Sequence, residues 1–474
     1  MPLAPTDDAR LILDDATATR LAEEFGTPLY VLSESAIRDK IRRYRESFAA
    51  AYPKTEITFA SKANSTLAVL QIAGQEGCLI DAASEGELRA ALAACVPASR
   101  CHLHGNFKSR SELEFAIVAG VNQIVVDNFE ELEQLETRYY SRLKIPAIPA
   151  SKPGQPAKSL AAQEWETEGG GPNLSPEMEA QREAFPDLVL RLAPGVDPVT
   201  HAKISTGQAD TKFGFNIADG SAEGAVQRCL DAKLPLVGFH CHVGSQLLDP
   251  EAQVSGGDTL ADFAIAVREK LGFVTQVINF GGGLGVHYVK DAKPMAVEDY
   301  CRELVAKVAP KLRAAGLEPT LVQEPGRSLI GEAGVTLYRV GTVKTVPSKE
   351  VGERTYVVVD GGLSDNPRPA LYGSQYTVLP VGKSGPAKVV TVSGKHCETD
   401  TLFTDIELPE DVAAGDLLQV LVTGAYNSSM ASNYNRFARP ATVLIREDGS
   451  FFLAQRRDNW DEMFARENLL EPGS

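Results

Sequence analysis

The chain is short of basic residues, short of cysteine, and without any long apolar run. Each shortage removes a class of protein. Lys and Arg number 47 against 63 Asp and Glu, a net charge of −16 over 474 residues. A chain this acidic repels phosphate backbones, so no nucleic-acid partner is expected. It also offers no polybasic patch for a membrane surface. No apolar stretch approaches the roughly 18 residues that cross a bilayer, so no membrane association is expected. The seven cysteines are odd in number and never spaced C-x-x-C. A disulfide framework and a thiolate zinc site are both disfavoured, and no metal is expected. The opening MPLAPTDDARLILDD is acidic where a secretory leader is basic, which makes the cytoplasm the expected location. What remains is ordinary globular composition, 43% hydrophobic and 23% charged, at a length that suits two domains.

Apolar, β-branched runs begin at Ile57, Cys78, Cys101, Gln123, Leu188, Leu236, Val274 and Thr320. Helical patterns lie between most of them, such as SEGELRAALAA from Ser84 and NFEELEQLETRYY from Asn128. Strand–helix alternation argues for parallel βαβ units. Eight such units closing on themselves make a TIM-like (β/α)8 barrel, here over residues 34–327. The stretch from about 145 to 187 is rich in Pro, Gly, Ser and Glu, and reads as an exposed insertion in which Trp165 is a local anchor. Beyond Arg327 short alternating runs begin at Val335, Arg354, Ala387, Leu417 and Ala441, with a helical DNWDEMFAREN near the end. They predict a mainly β C-terminal domain, residues 328–474, that also takes a strand from PLYVLSE in residues 1–33.

In such barrels the chemistry sits at the C-terminal ends of the strands. The runs end in Lys62-Ala63-Asn64, near Asp81 and Ser84, in His104-Gly105-Asn106, in His240–Ser245, in Gly281–Gly285 and in Glu324-Pro325-Gly326-Arg327. A lysine ending an apolar strand is either a buried nucleophile of lowered pKa or a residue that snorkels to solvent. The glycine run is either a tight turn or an anion cradle of backbone N–H groups aided by a following helix N-terminus. Glu324 could keep a proton on a pyridine nitrogen or pair with Arg327. His240 and His242 share one strand face, as a metal pair or with an imidazole flat on a planar ligand. A lysine, a phosphate cradle and a carboxylate on one rim together point to pyridoxal 5'-phosphate.

The motifs FASKAN, HGNFKS, ISTGQADTKFGF, GFHCHVGSQ, NFGGGLG, EPGRSLIGEAGVTLY, VDGGLSDNPRPALYG, GKHCETDTLF and GAYNSSMASNYN occur in an order that resembles the diaminopimelate decarboxylases. These belong to the alanine-racemase-like fold group of pyridoxal-phosphate enzymes. The resemblance implies that Lys62 binds the cofactor aldehyde and that His240 stacks on its ring. It implies phosphate contacts from Ser245, Gly281, Gly282, Gly283 and Tyr426, with Pro325, Gly326 and Arg327 alongside. Glu324 resembles the pyridine-nitrogen partner. Arg327, Arg368 and Tyr372 resemble the clamp on the distal carboxylate of the substrate, and Tyr426 resembles a substrate contact as well. Cys397 and Glu398 resemble a pair donated across a homodimer, the first as proton donor and the second facing the distal ammonium.

The implied reaction converts meso-2,6-diaminopimelate to L-lysine and carbon dioxide, the last step of lysine biosynthesis. Two arginines and a phenol suit a dicarboxylic amino acid better than ornithine, because the guanidinium fork matches a carboxylate. The alternatives are a sister decarboxylase of basic amino acids (ornithine, arginine or carboxynorspermidine), a racemase, in which Arg368 and Glu398 have no evident use, and a non-enzymatic cofactor-binding relative. Two local departures from the family pattern stand out besides the insertion. Asn279-Phe280 precedes the glycine run where Asp-Ile or Asp-Leu is frequent. Thr399-Asp400 follows Cys397-Glu398 where Ser-Gly is common, so that loop loses a flexible glycine.

Overall fold

The computed structural model describes residues 10–141, 185–196, 210–289 and 293–470. The chain divides into two compact units. One comprises residues 38–285 and 294–329; the other comprises 1–37, 286–293 and 330–474. The short segment 286–293, expected inside the barrel, therefore belongs to the β unit. Most of the expected insertion, residues 145–184, lies outside the described residues, and Asp187 already opens a strand.

The first strand, β1 (Leu29–Ser33), is the expected N-terminal contribution to the β unit. The other unit is a closed barrel. Its strands are β2 (Thr55–Ala60), β3 (Leu79–Ala82), β4 (Cys101–Leu103), β5 (Gln123–Val126), β6 (Asp187–Ala193), β8 (Leu236–His240), β9 (Val277–Asn279) and β10 (Thr320–Gln323). All eight arise from the runs read in the sequence. They pair in parallel in the order β5-β4-β3-β2-β10-β9-β8-β6, and β5 pairs with β6 to close the ring. A two-residue strand, β7 (Phe215–Asn216), adds to β6. Strands buried on both faces tolerate uninterrupted apolar sequence, which is why these runs do not alternate. The intervening helices are capped as their sequences demand. Ser84 accepts from the Glu87 amide to start Glu85–Ala93, and Ser109 with Glu112 forms a reciprocal capping box.

The β unit is built on one sheet. Its further strands are β11 (Gly334–Ser348), β12 (Gly352–Val359), β13 (Val378–Val381), β14 (Ala387–Ser393), β15 (Thr401–Pro409), β16 (Leu417–Leu421), β17 (Ala441–Ile445) and β18 (Phe451–Gln455). β1 lies between β11, antiparallel, and β17, parallel, and all five of its residues are buried. Its core gathers Leu29, Val31, Val335, Leu337, Val357, Val392, Val420 and Val443. β13, β15 and β18 have no counterpart in the sequence reading. The expected C-terminal helix is a single short turn, Trp460–Phe464.

Candidate active site

Lys62 is the middle residue of a 3-10 turn, Ser61–Ala63, that ends β2. Ser61 and Ala63 are buried and Lys62 is exposed, the solvent-facing one of the two readings of this lysine. The cause is local. The turn commits Ser61 inward, where its hydroxyl donates to Asp81 O and contacts Glu87 Oε2, both at 2.7 Å, and it turns Lys62 outward. The lysine charge is nevertheless felt by Asp81 and His242, which places it at the rim. The neighbouring end of β10 fits closely beside this turn. Pro325 O accepts from the Ala60 amide at 3.3 Å, and a Cβ on Gly326 would come within 3.0 Å of the Ala63 methyl.

Glu324 is the electrostatic centre of the rim. It is buried, and its partners are histidines and an amide rather than an arginine. Oε1 lies 3.0 Å from His104 Nε2 and accepts from Asn279 Nδ2 at 2.7 Å, while Oε2 lies 3.1 Å from His240 Nε2. His104 Nε2 is also 3.7 Å from Asp81 Oδ1, and its ring stands edge-on to His240 with centroids 5.0 Å apart. Burial works against the Glu324 charge, but the two imidazoles outweigh it and hold the carboxyl well below the usual carboxylate range. Burial also disfavours a charged His104, yet Asp81 and Glu324 raise its pKa above the ordinary value. His240 has no such pair of anions, and burial pushes it down to about 4. A neutral His240 must then donate Nε2–H to Glu324, which leaves Nδ1 as an acceptor, and that atom has no partner among the described residues. His102, His104 and Glu324 bring ligand-type atoms within 4.8 Å of one another, but the Glu324 oxygens there are already held by protein donors.

The glycine run is required by backbone packing. A Cβ on Gly281 would sit 2.5 Å from Cys241 O, one on Gly282 2.2 Å from Glu324 O, and one on Gly283 2.8 Å from Gly244 O. Gly281 also has φ +64. The ends of β8, β9 and β10 thus converge at separations no side chain permits. The Gly281 amide donates to Asn279 Oδ1 at 2.9 Å, whereas those of Gly282 and Gly283 have no acceptor among the described residues. Among the described residues the next helix begins at Val297, so the expected helix N-terminus does not directly follow this cradle. Ser245 accepts from Arg327 Nη2 at 3.1 Å, and Arg327 is buried.

The β unit carries the other expected residues. Arg368 opens a short helix, Arg368–Tyr372, and is buried. Its Nε donates to Tyr376 OH at 2.9 Å and its Nη2 to Ser374 Oγ at 3.2 Å. The guanidinium carbon is 5.3 Å from the Tyr372 ring centroid, 5.5 Å from that of Tyr426 and 5.8 Å from that of Tyr288. No carboxylate pairs with it among the described residues. Cys397 and Glu398 are exposed on the loop between β14 and β15. The Cys397 amide donates to Asn435 Oδ1 at 3.1 Å, and Glu398 accepts from Tyr434 OH. Asp400 takes the place of the missing glycine. It adopts φ +42, and its carboxylate accepts from the amides of Leu363 at 2.8 Å and His396 at 3.0 Å and meets His396 Nδ1 at 2.6 Å. The lost flexibility is replaced by a fixed network.

An exposed amine, an ionised buried carboxylate and a side-chain-free backbone with open amides on one rim fit pyridoxal phosphate. The family described as pyridoxal-dependent decarboxylase, pyridoxal binding domain, matches residues 35–148 and 174–331. A diaminopimelate decarboxylase of Bacillus subtilis is 39% identical over 451 residues, covering 94% of this chain and 92% of its own. The chain belongs to the diaminopimelate decarboxylase family. A second relative of that name, from Actinosynnema pretiosum, is 38% identical over 96% of this chain and 92% of its own. The solved diaminopimelate decarboxylase of M. jannaschii, in complex with L-lysine, superposes with a TM-score of 0.82 at 31% identity, covering 98% of this chain and 97% of that one. Two residues at the site have no role in the sequence reading, His104 and Asn279. The signal for His104 is its place at the end of an apolar strand, and for Asn279 its departure from the Asp that is frequent before the glycine run.

Proposed function

We propose that this protein decarboxylates meso-2,6-diaminopimelate to L-lysine and carbon dioxide with pyridoxal 5'-phosphate, in the cytoplasm. When bound, the cofactor supplies an aldehyde for an amine and a ring that accepts the electron pair left by carbon dioxide. Lys62 is the amine that holds it. The observation that carries the reading is Glu324, buried yet kept ionised by His104 and His240. Its Oε1 accepts from Asn279 and lies beside His104, while its Oε2 faces His240 alone, which leaves Oε2 to retain a proton on the ring nitrogen. His240 is assigned to the ring face. Ser245, Gly281, Gly282, Gly283 and Tyr426, with Pro325, Gly326 and Arg327 alongside, are assigned to the phosphate.

Selection falls to Arg327, Arg368 and Tyr372, which read the distal carboxylate, and to Glu398, which faces the distal ammonium. Cys397 gives a proton to the carbon that has lost its carboxyl group. Both Cys397 and Glu398 are exposed, and we assign them to a site completed across a homodimer. The test is incubation of the purified protein with pyridoxal phosphate and meso-2,6-diaminopimelate. Stoichiometric carbon dioxide and lysine are expected. Turnover of ornithine or arginine with none of diaminopimelate overturns the reading. So does the absence of a pyridoxyl adduct at Lys62 after borohydride reduction and peptide mapping.

A further inference from the structure

Lys108 lies in the motif HGNFKS, on the loop after β4, and 2% of its side chain is exposed. Its Nζ donates to three acceptors: Gly105 O of its own loop at 2.8 Å, Val125 O of β5 at 2.6 Å and Glu131 Oε1 at 2.8 Å. An ammonium has three N–H groups, so Lys108 has none left for a ligand. Glu131 belongs to the helix Phe129–Ser141 and is buried as deeply. Its Oε2 accepts from the Asp127 amide at 3.3 Å. Beside this pair Asn128 donates from Nδ2 to Asn106 O at 3.0 Å and accepts at Oδ1 from the Glu131 amide at 2.9 Å. The loop after β4 is therefore tied to the loop after β5 at Gly105 and Asn106, the two residues that follow His104. Gly105 has φ +135, so the chain turns sharply just past the imidazole.

A buried ion pair adds little stability, because the loss of hydration offsets most of the attraction. Burial pushes the Glu131 carboxyl up, against the ammonium beside it. Packed apolar side chains of similar size often hold such a space at least as well. What they do not supply is direction. Three acceptors on three segments fix where the Gly105 carbonyl points, and dispersion contacts do not. That carbonyl belongs to the residue after His104, whose Nε2 lies 3.0 Å from Glu324 Oε1. We propose that Lys108 is a positioning residue that, with Glu131 and Asn128, holds the Gly105–Asn106 turn so that His104 stays against Glu324. The inference rests on the cofactor reading given above, in which Glu324 serves the ring nitrogen. It extends that reading to residues assigned to neither cofactor nor substrate.

The test separates direction from stability. Lys108→Met combined with Glu131→Leu removes both charges at once and leaves apolar side chains of similar reach. This double variant and wild type are compared in melting temperature, in affinity for pyridoxal phosphate and in nitrogen-15 spectra of the histidine side chains. The double variant is expected to melt within about 5 °C of wild type, because no unpaired charge is left behind. It is expected to bind the cofactor about tenfold more weakly. The His104 ring signal, identified by its absence in His104→Gln, is expected to move while that of His396 in the β unit stays. Wild-type affinity, or an unmoved His104 signal, at a retained melting temperature overturns the proposal, since the pair then only fills space. If the double variant melts lower than this or does not fold, Asn128→Asp decides. It keeps the acceptor for the Glu131 amide and cuts only the tie to Asn106 O. It should weaken cofactor affinity by about threefold, and wild-type affinity in it overturns the proposal. Failure of the underlying cofactor reading is seen separately, as a wild-type protein with no adduct at Lys62.

Discussion

Replacing Arg368 by glutamine tests the proposed selection of a second carboxylate. A guanidinium has five N–H donors, and Arg368 spends one on Tyr376 and one on Ser374. Three remain, enough for the two-pronged grip on a carboxylate. The cation is buried with tyrosine rings about it and no acidic partner among the described residues, so a substrate carboxylate is the natural counter-ion. Losing a buried charge pair of this kind costs about 2–5 kcal/mol. That corresponds to a fall of roughly 30- to 5000-fold in kcat/KM. The assay measures carbon dioxide release from meso-2,6-diaminopimelate and, separately, from D-lysine, which keeps the reacting centre but lacks the distal carboxylate. Arg368→Gln should lose the first and leave the second within about threefold, so the ratio of the two collapses. Arg368→Lys keeps the charge but not the fork, and should fall between wild type and glutamine. Equal losses on both substrates would refute the reasoning, because they would make Arg368 a structural group of the β unit. No loss on either would refute it more simply.

Three further expectations concern the β unit and the assembly. Asp400→Ala removes the acceptor of two backbone amides and the partner of His396, and should lower stability by about 2–4 kcal/mol in urea unfolding; an unchanged midpoint would show that the loop is held elsewhere. Burial pushes the Asp365 carboxyl from 3.8 up to about 7, against hydrogen bonds from Tyr338 and the Gly362 amide. The folded state therefore binds more protons than the unfolded chain between these values, and stability falls as pH rises through that window and levels off above it. Asp365→Asn should flatten this slope, so that unfolding free energies from urea titrations at pH 5 and pH 8 differ less than in wild type by at least about 1 kcal/mol. Finally, inactive Lys62→Ala and Cys397→Ala subunits, mixed under conditions where exchange is demonstrated, should recover activity through heterodimers; exchange without recovery counts against a shared site.

The barrel was legible because parallel strands buried on both faces leave continuous apolar runs, and ITFA, LVLRLA and LVGFH carry little else. The strands that escaped are those whose environment is mixed. β15 alternates between buried Leu402 and Phe403 and exposed Thr404 and Asp405, and it carries Asp405 at φ +58. β18 has Phe452 and Leu453 exposed, so its apolar residues do not mark an inner face. Period and polarity fail there because packing, rather than propensity, decides the strand.

The site follows the same division. Lys62, His240, the glycine run and Glu324 announced themselves as reactive or permissive residue types at strand ends. What surrounds them could not be read in that way. β4 and β10 are separated in the ring by β3 and β2, so the meeting of His104 with Glu324 is made across the barrel mouth and leaves no trace in local sequence. Yet that meeting sets the chemistry. A buried carboxylate alone would be driven toward its neutral form and would have no charge to offer a ring nitrogen. With His104, its pKa raised by Asp81 and Glu324, beside one oxygen and His240, its pKa lowered by burial, beside the other, Glu324 keeps its charge and a free lone pair together. The reactive residues are thus inert as a list and become a candidate catalyst only through the closure of the barrel, which places the imidazoles of distant segments on one carboxylate.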